Sequence, residues 1–368
     1  MIIEHGLVFN DRYEFAESPL YIEDGKICDA ASGPVIDASG CYVIPGLVDI
    51  HFHGAAGYDF CDATPEALSA IAEYEQRNGI TSICPATMTL GANRLMEICK
   101  NAAAYQNQGS RLVGIHLEGP FISPEKKGAQ NPSYIIPPSM ELLHHLLTDS
   151  NRLVKLITVA PEVPGALDFI EKASQEVHVS IGHTCCDYDT ACAAIARGAD
   201  HLTHTYNAMP PLSHRAPGPI GAGYMAPSVM AEIICDGIHI HEAMVKALLS
   251  LFGEDRVVFI SDSMRATGMP DGSYDLGGLP VNVKGHYARL SDGTIAGSVT
   301  NLMDCVRKAV SMGIPLETAV KCASINPARS IGVDDQVGSL TVGKCADCVL
   351  LDQKTLEIRQ VIIKGALL

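Results

Sequence analysis

The sequence predicts an α/β protein: a (β/α)₈ TIM-type barrel with a small β-sandwich domain formed by both chain termini. Eight apolar strands follow residue 46 and alternate with helical segments, over the ~250–270 residues that such a barrel occupies. Several strands are nearly continuous apolar runs, as expected for strands buried on both faces. A doubly wound open sheet is the alternative, but no Gly-x-Gly-x-x-Gly motif follows the first strand.

Both chain ends are predicted to be β-rich. Short apolar runs separated by turn residues occur near the N-terminus at 6–9, 20–22, 25–27 and 33–36. The same pattern returns near the C-terminus at 339–342, 348–351 and 361–363. Neither end can bury a core alone, so we expect residues 1–45 and 336–368 to pair into one β domain beside a barrel of residues 46–335.

The barrel region contains eight predicted strands, at 48–53, 82–85, 113–118, 154–160, 177–183, 199–204, 230–236 and 257–262. The first helix is predicted to begin after Thr64, with Pro65 at its first position, and to end at Asn78-Gly79. Further helices are predicted at 94–106, 140–147, 166–175, 190–197, 242–252, 302–312 and 316–323. A glycine-rich segment, 268–296, is predicted to form a hairpin insertion.

Composition restricts the class of protein. Apolar residues make up 47% of the chain and charged residues 18%, which is ordinary for a globular enzyme. The net charge of −16 argues against nucleic-acid and acidic-membrane partners, and an anionic substrate would need a local basic group. No apolar run approaches the ~20 residues of a membrane span, and no signal peptide is expected. Thirteen irregularly spaced cysteines indicate reduced thiols and a cytoplasmic location.

Candidate metal ligands follow the predicted strands, at the barrel end where active sites lie. His51 and His53 would project from one face of a strand, a pair that suits zinc or iron; hydrogen-bonded core histidines are the alternative. Six of the eight strands finish with a histidine or a carboxylate, which favours a metal centre. These residues are His51, His53, Glu118, His183, His201, His204, Asp236, His239 and Asp262.

The clearest ligand set is Glu118, His183 and His204, one carboxylate and two imidazoles. Such a set suits catalytic zinc with one position left open for water, whose pKa falls to roughly 7 on the metal. Asp262 could accept a proton from that water and pass it to a leaving group. His116 and His201 also lie near strand ends but are expected to be structural rather than ligands, and His144 and His145 are expected to be exposed.

Several motifs resemble known enzymes. Residues 45–54 (PGLVDIHFHG), the β-flanked barrel and the aspartate after the eighth strand resemble the amidohydrolase superfamily. Within that superfamily, the chain resembles the N-acetylglucosamine-6-phosphate deacetylase family in five segments: 116–123 (HLEGPFIS), 126–132 (KKGAQNP), 182–184 (GHT), 201–209 (HLTHTYNAM) and 236–239 (DGIH). Later matches are 261–268 (SDSMRATG), 293–298 (GTIAGS), 324–329 (SINPAR) and 343–352 (GKCADCVLLD). The resemblance spans nearly the whole chain in the family's order.

The resemblance implies a divalent metal, Zn²⁺ or Fe²⁺, with one or two ions per subunit. Glu118, His183 and His204 match the ligands of the principal metal. Some members lack the His-x-His pair and use a single metal. His51 and His53 are present here, so a second metal bridged by Glu118 is chemically possible.

The resemblance also assigns catalytic and binding roles. Asp262 matches the catalytic acid/base, and His239 the histidine that polarises the acetyl carbonyl. Arg215 matches the phosphate-binding arginine, whose guanidinium suits phosphate geometry. Gln130 stands where some relatives have histidine. The other matched substrate-binding residues are Ala129, Asn207, Ala208, Asp236, Gly237, Ile238, Ile295, Ala296 and Gly297.

The function implied is hydrolysis of N-acetylglucosamine 6-phosphate to glucosamine 6-phosphate and acetate, in amino-sugar catabolism and recycling. A homodimer is implied, in which Arg215 serves its own or a partner's site. The sequence leaves open an N-acetylgalactosamine-6-phosphate deacetylase, which differs at the sugar's C4 hydroxyl. N-acyl amino acid deacylases and cyclic-amide hydrolases need no phosphate contact, and a non-catalytic sugar-phosphate sensor is expected to have lost Asp262 or a metal ligand.

Overall fold

The centre of the molecule is a curled parallel sheet, which we call the barrel sheet. The computed structural model describes residues 1–106 and 109–368. Barrel strands 2 and 3 are each interrupted by two residues, and the eight strands pair in chain order. In order, strands 1 to 8 are Leu47–Asp49, Ile80–Ile83 with Ala86–Thr87, Arg111–Leu112 with Ile115–Glu118, Val154–Val159, His178–Ile181, Ala199–Leu202, Met230–Ile234 and Val257–Ile260.

Backbone hydrogen bonds join the two ends of the barrel sheet. The amide of Asp262 donates to the carbonyl of His51 at 2.9 Å, and the amide of His53 donates to the carbonyl of Ser263 at 2.7 Å. These bonds connect the segment after strand 8 to the segment after strand 1. The predicted α/β class is therefore confirmed, although strand 1 ends at Asp49, so the prediction that it reaches His53 was wrong.

Side-chain alternation explains the apolar strands. In strand 8, Val257 and Phe259 pack in the layer between sheet and helices, whereas Val258 and Ile260 pack with the strands' inner residues. Both faces are therefore buried, as the continuous apolar sequence predicted.

The helices cover the outside of the barrel sheet. Thr64 caps the first helix, where its Oγ1 accepts the amide of Ala67 at 3.2 Å. The helices are Pro65–Arg77, Ala92–Ala103, Met140–Asp149, Ala166–Ala173, Tyr188–Ala196, Gly218–Met225, Glu242–Phe252, Leu302–Ser311, Leu316–Ala323 and Ile325–Ser330, with short 3₁₀ turns at Phe60–Asp62, Pro124–Lys126 and Pro132–Tyr134. None of the described helices is long and apolar enough to cross a membrane.

Both chain ends contribute to one sheet, in which Cys41–Pro45 pairs antiparallel with Cys348–Asp352. Its strand order is Ala366–Leu367, Ile358–Ile363, Cys348–Asp352, Cys41–Pro45, Leu7–Phe9 and Phe15–Glu17. A second sheet has the order Lys26–Cys28, Leu20–Glu23, Ile2–Glu4 and Val35–Asp37. The two sheets share a buried cluster that includes Ile3, Ile22, Val43, Leu350 and Ile362.

One predicted terminal strand is absent from the described structure. Residues 339–342 contain one bend, irregular backbone and the start of a turn rather than a strand. The hydroxyl of Thr341 donates to Asp11 at 2.5 Å, and its carbonyl accepts the amide of Lys344. A long-range contact with Asp11 and a local turn therefore take the place of the predicted strand ladder.

The glycine-rich insertion is an antiparallel sheet of three strands, Gly272–Leu276, Leu279–Lys284 and Tyr287–Arg289. The hairpin prediction is confirmed, and a third strand extends it. Leu276 and Val281 pack with Met88 and Met264 in a separate apolar cluster. A short hairpin of Gly54–Ala55 and Tyr58–Asp59 completes the described strands.

Candidate active site

The carboxylate of Glu118, the last residue of strand 3, is the centre of the site, and only 2% of the residue is exposed. Its Oε1 lies 3.0 Å from Nε2 of His183 and 3.1 Å from Nε2 of His204. Those two nitrogens are 3.0 Å apart. Both histidines stand two residues beyond their strands, with φ of 46° and 29°, a strained conformation that is typical of functional sites.

The His-x-His pair approaches the same carboxylate from strand 1. Nε2 of His51 lies 3.3 Å from Oε1 of Glu118, and Nε2 of His53 lies 3.4 Å from Oε2. The pair stands after the strand, yet both rings converge on one carboxylate. The structure therefore brings all five predicted metal ligands together.

Hydrogen bonds behind the rings fix which nitrogen faces the carboxylate. Nδ1 of His53 lies 3.2 Å from the carbonyl of Ala86, and Nδ1 of His183 lies 2.8 Å from the carbonyl of Lys126. A carbonyl only accepts, so each Nδ1 carries a proton and Nε2 is the nitrogen left to face Glu118 or a metal.

Glu232 orients the ring of His51 in the same way, through a hydrogen bond with Nδ1. It was not predicted as a site residue. Its Oε2 lies 2.9 Å from Nδ1 of His51 and also accepts the backbone amide of His204 at 3.1 Å. Glu232 is fully buried in strand 7. A carboxylate inside an otherwise apolar strand was the available signal, because an unpaired buried charge is costly.

The convergence of acceptors shows that a cation fits this site. The buried Nε2 of His51 has no hydrogen-bond partner among the described residues. These nitrogens and the carboxylate need positive charge between them, which either protons on the rings or a bound metal cation would supply. Imidazole with carboxylate is a ligand set of the zinc and iron type.

Asp262 lies beside the His-x-His pair. It follows strand 8 with a φ of 49°, and its Oδ1 is 3.2 Å from Nε2 of His53. Burial raises the pKa of Asp262, but the hydrogen bond with His53 and the charge of His51 outweigh that effect and lower it below the ordinary 3.8. Burial likewise opposes ionisation of Glu118, whereas the charges of His51 and His183 hold its pKa well below 4.5. Both carboxylates are therefore ionised.

His239 faces the same cavity and is oriented by Asp236. Nδ1 of His239 lies 2.7 Å from Oδ2 of Asp236, whose Oδ1 accepts the amides of Ile238 and His239. Burial lowers the pKa of His239, but the hydrogen bond and charge of Asp236 outweigh it and raise the pKa above 6.5. Asp236 itself does not line the cavity.

Gln130 contacts a metal ligand as well as the cavity. Its Nε2 donates to Oε2 of Glu118 at 2.5 Å, and its Oε1 accepts the amide of Thr89 at 2.7 Å. Gln130 is 2% exposed. Its amide therefore fixes the orientation of the Glu118 carboxylate.

Most of the other predicted substrate-binding residues share this cavity: Ala129, Asn207, Ala208, Ile295 and Gly297 line it with the metal ligands. Ala296 is fully buried, and Gly237 and Ile238 do not line the cavity. Arg215 is exposed and lines a separate cavity with Cys185, Tyr188 and Pro210. Within one chain, the structure does not bring Arg215 to the metal ligands.

The chain is similar to proteins of known classes. A family model described as the amidohydrolase family matches residues 42–368. An N-acetylglucosamine-6-phosphate deacetylase of Lysinibacillus sphaericus is 35% identical over 97% of this chain and 95% of its own. An N-acetylgalactosamine-6-phosphate deacetylase of Escherichia coli O157:H7 is 36% identical over 95% of this chain and 94% of its own.

Solved structures show a similar fold over the full length. The N-acetyl-D-glucosamine-6-phosphate deacetylase of Mycobacterium smegmatis superposes with a TM-score of 0.93 at 32% identity, with all of both chains covered. The corresponding enzyme of Pasteurella multocida gives a TM-score of 0.93 at 28% identity, over 100% of this chain and 99% of that one.

Proposed function

Because this chain belongs to the amidohydrolase family, we propose that it is a metal-dependent hydrolase that deacetylates N-acetylglucosamine 6-phosphate. The products are glucosamine 6-phosphate and acetate, in amino-sugar catabolism and recycling. The observation that carries the proposal is the convergence of four imidazoles and Glu118 beside Asp262 in one cavity. The names of the full-length relatives supply the substrate.

Glu118, His183 and His204 would hold the principal metal, with His51 and His53 holding a second across Glu118. We propose Zn²⁺, with Fe²⁺ as the alternative, since both accept this ligand set. When bound, such a metal lowers the pKa of water to about 7 and polarises a carbonyl.

The chain's own residues move the proton. Ionised Asp262 accepts a proton from the attacking water and delivers it to the amine nitrogen as the amide bond breaks. Nδ1 of His239 is occupied by Asp236, so its Nε2 donates toward the carbonyl oxygen, where negative charge develops. Asn207 and Ala208 line the cavity beside these groups and would hold the sugar.

The phosphate needs a cation, because the chain carries a net charge of −16. We propose that Arg215 supplies it across the interface of a homodimer. Its exposure and its place in a separate cavity of its own chain support that arrangement.

A second candidate substrate is N-acetylgalactosamine 6-phosphate, the C4 epimer. The similarity to a deacetylase of that name, at 36% identity, is the observation that favours it. Acetate release should be measured on both epimers, with elemental analysis of the same preparation. Faster turnover of the gluco epimer by metal-loaded protein is expected, and no release from either epimer would refute the proposed function.

We also propose that residues 1–45 and 336–368 act as one β-sandwich domain beside the barrel at 46–335. The shared sheet and the shared apolar cluster support this division. A cytoplasmic location is proposed because all thirteen cysteines are free thiols.

A further inference from the structure

A second group of metal-type ligands lies at the N-terminal ends of strands 5 and 6, opposite the proposed catalytic centre. His178 begins strand 5, and Asp200 and His201 belong to strand 6. Nδ1 of His178 lies 2.6 Å from Oδ2 of Asp200, and Nδ1 of His201 lies 2.7 Å from Oδ1. The Asp200 carboxylate thus hydrogen-bonds both imidazoles, and in each ring Nδ1 is the nitrogen that faces it.

The donor set has the composition of the catalytic one: two imidazoles and one carboxylate, with the ligand atoms within 4.8 Å of one another. In the protein as described, hydrogen bonds account for the contacts with Asp200. A divalent cation can replace the shared protons with a small adjustment of the rings, because both nitrogens already point at the same carboxylate.

The cluster is accessible to ions. The side chains of His178 and Asp200 are 35% and 31% exposed, and both line a cavity of about 430 Å³. Glu176 lines the same cavity, where its carboxylate pairs with Arg152 and His144. An ion can therefore enter from solvent and keep water as a further ligand.

The second nitrogen of His201 provides an independent observation. The residue is 1% exposed, and its Nε2 is buried without a hydrogen-bond partner among the described residues. A hydrogen bond from Nδ1 to Asp200 leaves that Nε2 as an unpaired acceptor. A cation on Nδ1 would move the ring proton to this buried Nε2.

We propose that His178, Asp200 and His201 form a zinc site distinct from the catalytic centre. Strands 5 and 6 connect it to His183 and His204 at their other ends. Zinc there stabilises the folded chain by preferential binding and is not required for the deacetylation chemistry.

The test measures zinc per chain by equilibrium dialysis against micromolar zinc, followed by elemental analysis. Wild type is compared with His178→Ala and with His144→Ala, a matched control in which an exposed histidine near Glu176 is removed. His178→Ala should hold one zinc fewer than wild type, whereas His144→Ala should hold the same number. The thermal midpoint of wild type should rise with zinc more than that of His178→Ala.

Asp200→Asn provides a second variant that preserves side-chain volume. Asp200→Asn should also bind one zinc ion fewer per chain than wild type, and it should keep the wild-type rate of acetate release. Wild-type zinc content in either folded variant would overturn the proposal. A loss of stability in both variants without any change in zinc content would overturn it too, since that result describes an ion-pair role alone. If wild type released no acetate, the proposed function would be refuted, and the number of zinc ions per chain would still decide whether this second zinc site exists.

Discussion

Nδ1 of His51 lies 2.9 Å from Oε2 of Glu232, and both side chains are fully buried. The same oxygen accepts the amide of His204. Glu232 therefore links His51 of the His-x-His pair to His204 of the principal ligand set, although it does not line the cavity of the metal ligands. Its position is that of a residue that orients metal ligands from behind.

Glu232→Gln should weaken metal binding by about 10- to 100-fold, because the neutral amide is a poorer acceptor for His51. Metal affinity measured by competition with a chelator checks this expectation. Glu242→Gln, an exposed change in the first turn of a helix, is the control. Unchanged metal affinity with lowered thermal stability would reduce Glu232 to a packing role.

Gln130→Ala should lower metal content as well as turnover. The change frees Oε2 of Glu118 from its 2.5 Å hydrogen bond. The carboxylate then loses the orientation in which Oε1 faces His51, His183 and His204 while Oε2 faces His53. Elemental analysis and kcat should fall together, and Ser133→Ala, an exposed neighbour, should change neither. A higher KM with full metal content would instead show that Gln130 contacts substrate alone.

Local patterns were sufficient to predict the parallel strands of the barrel sheet and the residues that gather around Glu118. An apolar strand that ends in histidine or carboxylate can be recognised within ten residues, and parallel strands bring those ends to one edge. Glu118, His183 and His204 could therefore be predicted together. The metal ligand role of each residue stays a prediction.

The remaining features depend on distant contacts. Glu232 is 181 residues from His51 in sequence, so its partner could not be read from any local pattern. The helix Gly218–Met225 was missed because three glycines lower helix propensity. Tertiary packing favours it, since a Cβ on Gly223 would lie 2.9 Å from Leu202. The position of Arg215 outside the cavity of the metal ligands likewise depends on the fold.

Asp236→Asn should shift the alkaline limb of the pH profile to lower pH. Asp236 raises the pKa of His239 above 6.5, so the protonated ring persists beyond that pH and is lost as pH rises through the raised value. Removal of the charge lowers that pKa, and the donor toward the carbonyl disappears earlier. The measurement is kcat against pH. An unchanged alkaline limb would show that another group controls it.

Asp262→Asn should reduce kcat by about 10²- to 10⁴-fold, because an amide cannot take the proton from water. Substrate affinity and metal content should change little, since Asp262 lies 3.2 Å from His53 without being among the five proposed ligands. Single-turnover acetate release and elemental analysis test this. Full turnover in metal-loaded Asp262→Asn would remove the assigned proton transfer.

Arg215→Ala should raise KM for the phosphosugar by about 10- to 100-fold, because a charged hydrogen bond to phosphate is lost. Arg12→Ala, which removes another exposed arginine, should have no such effect. N-acetylglucosamine without phosphate should be hydrolysed equally by wild type and Arg215→Ala, since neither can use the contact. If Arg215 acts across an interface, Arg215→Ala mixed with inactive Asp262→Asn should recover KM in the hybrid dimers. One site of the hybrid dimer then has an intact Asp262 from one subunit and an intact Arg215 from the other. If Arg215 acted only within its own chain, no site in the hybrid would have both residues, and KM would not recover.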